Sequence, residues 1–279
     1  MGSEVHTATA TATTNRWDRV VRRVGIDPIE PDLLRRLIDG DIAVLVLRGL
    51  LPSENFARHR QLVNDMFDRA STTYYANGHL TTIGSYLAKH LSDVDEYFAE
   101  SEKIAQVTAD ASFTLGDDVR AGLARALSLR SLDVAEEPDG RRYADVCVRI
   151  HPDGVANPMH NDKIIRDAAG LDLVVSRLLY QLSCVICVQE CDTGGEAKVY
   201  AKPWEPQDEK FKIPNGLGYE YGVVEGVPAH EFKPQAEDVY LINPTYYHEI
   251  LRVGGDTRVT VGFFLGFFDD TLDSAVTWG

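Results

Sequence analysis

Pro158-Met159-His160-Asn161-Asp162 is the stretch on which the reading of this chain turns. Side chains alternate between faces along an extended backbone, so His160 and Asp162 project the same way and can meet a common partner. A lone His-x-Asp is frequent by chance and decides nothing alone. Far downstream, Tyr246-Tyr247-His248 follows the apolar run Val239-Tyr240-Leu241-Ile242 and the turn Asn243-Pro244. Ten residues on, Arg258-Val259-Thr260 opens the last apolar run. Arg258 and Thr260 share a face and offer a guanidinium fork with a hydroxyl, a pairing suited to a carboxylate.

Around these residues the chain reads as short strands broken by Gly and Pro: 143–151, 178–189, 197–200, a hairpin around 222–228, 239–243 and 258–268. That grammar predicts a β-sandwich or barrel. Upstream the period changes. Pro31 to Gly40 carries apolar residues at helical spacing and ends on glycine, and Ile42 to Leu47 reads as a buried strand. Ser53 is placed to cap a helix with an apolar face of Phe56, Val63, Met66 and Phe67. Ser71 to Gly84 reads as a polar, aromatic loop near the site, and helical patterning follows from Tyr86 to about Ser131. Glu136-Glu137-Pro138-Asp139-Gly140 is a turn. The amphipathic helical half needs a sheet to cover, so one domain over 17–279 is expected, with 17–140 mainly helical and 141–270 the β core. The Ala- and Thr-rich residues 1–16 are expected to be a disordered tail.

The 279 residues, 44% hydrophobic and 25% charged, are the composition of a globular chain with a substantial core. A formal net charge of −15 with no long basic run argues against nucleic acid as a partner. No apolar stretch is long enough to span a bilayer and the start lacks the order of a signal peptide, so a cytoplasmic protein with no membrane partner is expected. Four cysteines, three of them crowded at Cys184, Cys187 and Cys191, invite a metal reading. The odd offset between Cys184 and Cys187 on a strand puts them on opposite faces, so the four, Cys147 included, are read as buried small hydrophobes.

Two imidazoles and one carboxylate on one face of a metal leave three positions open, which is what non-haem Fe(II) oxygenases need for a co-substrate and O2. His160, Asp162 and His248 are therefore the candidate metal and catalytic residues. Arg258 and Thr260 would anchor the far carboxylate of 2-oxoglutarate. His6, His59, His79, His90 and His230 are read as structural or surface residues. His151 shares a face with Cys147 and Asp145 and either lines the pocket or caps its strand. Gly194-Gly195-Glu196 is a turn and not a phosphate cradle, because no helix follows it. Trp204 and Tyr219-Glu220-Tyr221 either gate a substrate or simply pack.

The order His160-x-Asp162, Gly194-Gly195-Glu196, Glu237-Asp238-Val239, His248 and Arg258-x-Thr260 resembles the Fe(II)/2-oxoglutarate-dependent oxygenases on the double-stranded β-helix fold. Gln181-Leu182-Ser183, Val199-Tyr200, Trp204-Glu205-Pro206-Gln207-Asp208, Tyr246-Tyr247-His248 and Gly262-Phe263-Phe264-Leu265-Gly266-Phe267 make it more similar still to the stand-alone aliphatic halogenases of the welwitindolinone and hapalindole type. The resemblance covers about residues 80 to 268. It implies iron on His160, Asp162 and His248, and 2-oxoglutarate on Arg258 and Thr260 with help from Ser183 or Gln181. Those halogenases carry Gly or Ala two residues after the first His, opening an iron position for chloride; this chain has Asp162, which implies hydroxylase chemistry.

The expectation is thus an α+β, mainly β protein: a jelly-roll or cupin-like double-stranded β-helix with a helical half packed on it. Its expected reaction couples decarboxylation of 2-oxoglutarate to hydroxylation of an unactivated C–H bond of a small molecule, of natural-product, nucleotide or amino-acid type. Desaturation, cyclisation or epoxidation with the same Fe(II), 2-oxoglutarate and O2 is the alternative. A metal-dependent hydrolase or isomerase and a non-catalytic binding module are the readings from other classes. Substrate contacts are expected from His151, Asn161, Tyr75, Tyr86 and Ile164, and the chain is expected to be a monomer or homodimer.

Overall fold

The apolar runs of the second half alternate with a period of two, and the structure turns that alternation into a sheet with two unlike faces. The computed structural model describes residues 17–279; the expected tail over 1–16 lies outside the described residues. In chain order the elements are β1 (Arg19–Arg23), α1 (Leu33–Ile38), β2 (Val44–Arg48), α2 (Ser53–Asp65), β3 (Ser71–Tyr75), β4 (Gly78–Ile83), α3 (Val94–Asp110), α4 (Leu115–Ala126) and β5 (Ser131–Val134). Then come β6 (Cys147–His151), β7 (Asn157–His160), α5 (Ile164–Asp167), β8 (Tyr180–Gln189), β9 (Thr193–Gly194), β10 (Ala197–Pro203) and β11 (Ala229–Phe232). The chain closes with β12 (Val239–Ile242), β13 (Tyr246–Ile250), β14 (Val253–Gly254), β15 (Arg258–Phe267) and β16 (Ser274–Trp278).

The large sheet runs β1-β2-β12-β8-β15-β6-β4-β3, with β16 and β5 attached through β15; the small sheet runs β11-β10-β13-β7. From β6 onward the chain passes back and forth between the two sheets, and its pairs within each are antiparallel apart from the parallel pairing of β16 with β5. That is a jelly-roll, or double-stranded β-helix. On β15, Val259, Val261, Phe263, Leu265 and Phe267 are buried in the main core. Leu182, Cys184, Ile186 and Val188 of β8 and Val148 and Ile150 of β6 join them. The cover over this face comes from Leu33, Leu34 and Leu37 of α1, Phe56 and Val63 of α2, and Leu115, Val119 and Leu123 of α4. The helical half exists to dry this face.

A second core gathers Tyr97 and Phe98 of α3 with Tyr143 and Trp278. Asp93 caps α3 by accepting from Glu96 N–H at 3.1 Å. The Tyr97 hydroxyl accepts from Ala144 N–H at 3.0 Å and lies 3.2 Å from the carbonyl of Gly279, tying the last residues to the helix.

Several local expectations change. The segment Ser71 to Gly84 is not a loop: β3 and β4 form an antiparallel hairpin that extends the large sheet beside β6. Residues 17–140 thus supply strands as well as helices. Ser53 does not cap α2; it is the first helical residue after Pro52, and its hydroxyl donates to Glu237 at 2.7 Å. Phe67 leaves the apolar face of α2, because a 3-10 turn over Phe67–Arg69 redirects it to the surface. The Gly222–Pro228 segment is no hairpin; it begins as a 3-10 turn, Tyr221–Val224. Asp145 does not share the face of Cys147 and His151, since it lies before β6 and pairs with Arg120.

Candidate metal centre

β7 and β13 are neighbours in the small sheet and pair with His248 directly opposite His160, a position at which side chains on adjacent strands come closest. The two imidazole centroids are 4.3 Å apart. Asp162 lies just beyond β7, where its N–H donates to the carbonyl of Pro244 at 2.8 Å. Its Oδ2 stands 3.7 Å from His160 Nε2 and 3.6 Å from His248 Nε2.

Tautomers follow from the other ring nitrogens. His160 Nδ1 lies 2.7 Å from the carbonyl of Pro158 and His248 Nδ1 lies 2.9 Å from that of Tyr246. A carbonyl can only accept, so each Nδ1 carries a proton and each Nε2 is left facing Asp162, free to ligate. Burial, with His160 beside it, holds His248 down to about 4, so it stays neutral at physiological pH. One donor atom from each of the three residues lies within 4.8 Å of the others. Two imidazoles with Nε2 turned inward and a carboxylate, converging in this way, fit an Fe(II) ion bound on one face.

The triad stands where two cavities meet. One lies between the sheets and receives Arg258, Thr260, Ser183, Tyr240 and His151. The other is bounded by the β3–β4 hairpin, α5 and Trp278. Tyr86, Arg149, Asn157, His160 and Asp162 line both.

Arg258 is 3% exposed, and its Nη2 donates to the Tyr240 hydroxyl at 3.4 Å. No carboxylate of the described residues pairs with it. The Gly194-Gly195 turn closes over its stem: Gly195 has φ +70°, and a Cβ there would come within 3.1 Å of Arg258 Cδ. On the neighbouring strand His151 lies opposite Arg258 in register, buried, with neither ring nitrogen partnered. Burial and the adjacent Arg258 hold its imidazole well below the usual value, hence neutral.

Other expected residues fall elsewhere. Gln181 does not stand with Ser183 at the Arg258 end; it lines the adjoining cavity, and its Oε1 accepts from Ile164 N–H at 2.8 Å at the start of α5. Tyr75, Tyr86 and Ile164 line that same cavity, with the two phenol oxygens 3.1 Å apart. Asn161 faces away from both, because its neighbours His160 and Asp162 face in; its Oδ1 accepts from Arg166 at 2.5 Å. All four cysteines are free and buried, and burial pushes the Cys187 thiol up to about 12. Trp204 packs under the Arg166 guanidinium at 4.7 Å, and Tyr219 packs edge-on against Tyr247.

Sequence reasoning passed over Arg149, Asn157 and Tyr240. Arg149 shares the parity of His151 on β6, and Tyr240 is the inward position of β12. Asn157 carried no signal. The loop that reaches the triad is also held closely: Gly218, at φ +79°, lies so near the carbonyl of Met159 that a Cβ would stand 1.9 Å from it.

Residues 26–279 of the chain match the model of the carrier-protein-independent halogenase WelO5 family. The leucinostatins biosynthesis cluster protein S of Purpureocillium lilacinum is 26% identical over 141 residues, 48% of this chain and 56% of that protein, so the chain spans about half the length of this curated relative. An N-substituted L-amino acid dioxygenase of Burkholderia ambifaria superposes with a TM-score of 0.57 at 16% identity, over 89% of this chain and 91% of that one. The non-haem α-ketoglutarate-dependent epimerase SnoN of nogalamycin biosynthesis gives 0.53 at 10% identity, over 85% and 84%. These two establish the fold. The family match over nearly the whole chain, with the facial triad in place, establishes that the chain belongs to the carrier-protein-independent halogenase WelO5 family, among the oxygenases that use Fe(II), 2-oxoglutarate and O2.

Proposed function

We propose that this chain is a hydroxylase: it inserts oxygen into an unactivated C–H bond of a small molecule while 2-oxoglutarate is converted to succinate and CO2. The observation that carries the reading is Asp162, whose Oδ2 lies 3.6 and 3.7 Å from the two imidazole Nε2 atoms. It occupies the position that is Gly or Ala in the halogenases the sequence resembles, so the place a halide would take already holds a carboxylate oxygen.

When bound, Fe(II) with 2-oxoglutarate supplies the oxidising power for C–H cleavage. The chain supplies the rest. His160, Asp162 and His248 hold the metal, and the carbonyls of Pro158 and Tyr246 keep both imidazoles in the ligating tautomer. Arg258 and Thr260 receive the far carboxylate of the co-substrate, with Ser183 on the same cavity wall. The adjoining cavity, walled by Tyr75, Tyr86, Phe264 and Trp278, takes the substrate and keeps water from the reacting carbon. The free, buried state of the cysteines suits a reducing compartment, and we place the reaction in the cytoplasm.

Anaerobic addition of Fe(II) and 2-oxoglutarate should give a visible charge-transfer band, and admission of air should give succinate. No band and no succinate would remove the oxygenase reading. Asp162→Gly in chloride should retain the band and lose hydroxylation; full hydroxylation by that variant would take Asp162 out of the metal site and the hydroxylase reading with it.

A further inference from the structure

Arg149 projects from β6 to the junction of the two cavities, and among the described residues its guanidinium makes no hydrogen bond or ion pair. It lies over the face of the Tyr86 ring, 5.9 Å from the ring centre. A half-buried guanidinium without a counter-ion is costly to hold in a folded protein. The reading above, on which this inference rests, leaves it unpaired even in the loaded site. The two positive charges of Fe(II) and the one of Arg258 are balanced by the Asp162 carboxylate and the two carboxylates of 2-oxoglutarate. Arg149 is then the uncompensated charge at the cavity wall.

A second cationic residue, Lys163, lines the same cavity. The Lys163 ammonium lies 5.7 Å from the Trp204 ring and has no ion-pair partner among the described residues. Of the carboxylates there, Asp162 belongs to the metal and Asp167 is already paired with Arg166 at 2.6 Å. Most of the remaining wall is aromatic and apolar, with Tyr75, Tyr86, Leu80, Leu87, Phe264 and Trp278, and Asn157 and Gln181 are its polar side chains. In a chain of net charge −15, two unpaired cations facing one aromatic cavity are a local inversion of the general field.

We propose that the substrate is an amphipathic organic oxyanion, a carboxylate or phosphate carried on an apolar body. Arg149 grips it beside the metal, Lys163 adds charge from the α5 side, and the apolar body packs against the aromatic wall. This fixes the distance between anion and reacting carbon, since the oxyanion is pinned next to the triad.

The test uses the anaerobic Fe(II)–2-oxoglutarate complex of the full chain and follows binding by Trp fluorescence, Trp278 being in the cavity wall. The probes are benzoylglycine, phenyl phosphate and the neutral benzoylglycine amide. At least one anion should bind about 10- to 100-fold more tightly than the amide, the range of a charge-assisted contact. Which anion does so separates a carboxylate from a phosphate substrate. Arg149→Met should remove that preference and Arg149→Lys should keep part of it, with the charge-transfer band of each variant as the check on folding and loading. Equal binding of anion and amide, or binding of neither, would overturn the proposal. So would a fall in 2-oxoglutarate affinity in Arg149→Met as large as the fall in anion affinity, because Arg149 would then belong to the co-substrate. Absence of the band in the unmodified protein would instead fail the oxygenase reading itself.

Discussion

The two faces of the large sheet are built from the same strands and obey opposite rules. On β15 the odd-numbered residues from Val259 to Phe267 are buried against helices, whereas Arg258, Thr260, Gly262 and Phe264 face a cavity. β8 and β6 repeat the pattern: Leu182, Cys184 and Ile186 against Ser183 and Val185, and Val148 and Ile150 against Cys147, Arg149 and His151. One face is saturated with contacts. The other holds polar groups without partners among the described residues, including both nitrogens of His151, and the small sheet opposite adds the Oδ1 of Asn157. Unsatisfied polar groups lining a cavity are the ones a ligand can complete, so the face that weakens the fold is the face that can bind.

If that division is right, substitutions on the two faces separate stability from chemistry. The largest effect falls on the small sheet facing the cavity: His248→Ala should abolish iron binding and bring 2-oxoglutarate turnover to background. Circular dichroism should show the fold intact; a variant that unfolds would mean His248 is structural. On the packed face, Leu265→Ala should cost about 2–5 kcal/mol of stability in urea unfolding. The affinity for 2-oxoglutarate, read from the charge-transfer band, should be unchanged in it. Opposite in character, Arg258→Gln should weaken that affinity about 10- to 100-fold with little loss of stability. A large drop in stability and no drop in affinity would reverse its assignment.

The smallest effect is a pH slope. His151 is held well below 6.5 in the folded, metal-free chain, so below that pH the unfolded chain takes up a proton that the folded one refuses. Stability of the native sequence should therefore fall as pH drops below about 6.5, the usual value of an imidazole. His151→Leu should fall less steeply over the same range in urea unfolding. Parallel slopes would mean that the buried imidazole does not resist protonation.

The strands that carry the site were legible because alternation is local. His160 with Asp162, and Arg258 with Thr260, needed only the period of two and the known demands of a metal and a carboxylate. The hairpin over β3 and β4 was not legible for the same reason: most residues of β3 are exposed, so Thr72, Thr73 and Tyr74 carry no apolar alternation. Its available signal was the Asn77-Gly78 pair. Ser53 misled because a serine that caps and one that opens a helix look alike, and its true partner, Glu237, is distant in sequence. Asn157 was beyond reach, since the pairing of β7 with β13 shifts register between His248 and Ile250 and defeats counting. Arg149 was within reach by parity.

The strand β15 has one further consequence, for length changes. Its side chains reach the packed core on one side and the cavity on the other, so it tolerates no frameshift of structure. An insertion of one residue in the short connection between β14 and β15, if absorbed by sliding the strand, would put Thr257 in the place of Arg258 and Val259 in the place of Thr260, and set Arg258 among the leucines. The turn that contains Gly255 and Asp256 therefore acts as a ruler for the active site, and tolerance to insertion should be greater in the long connection between β10 and β11 than there.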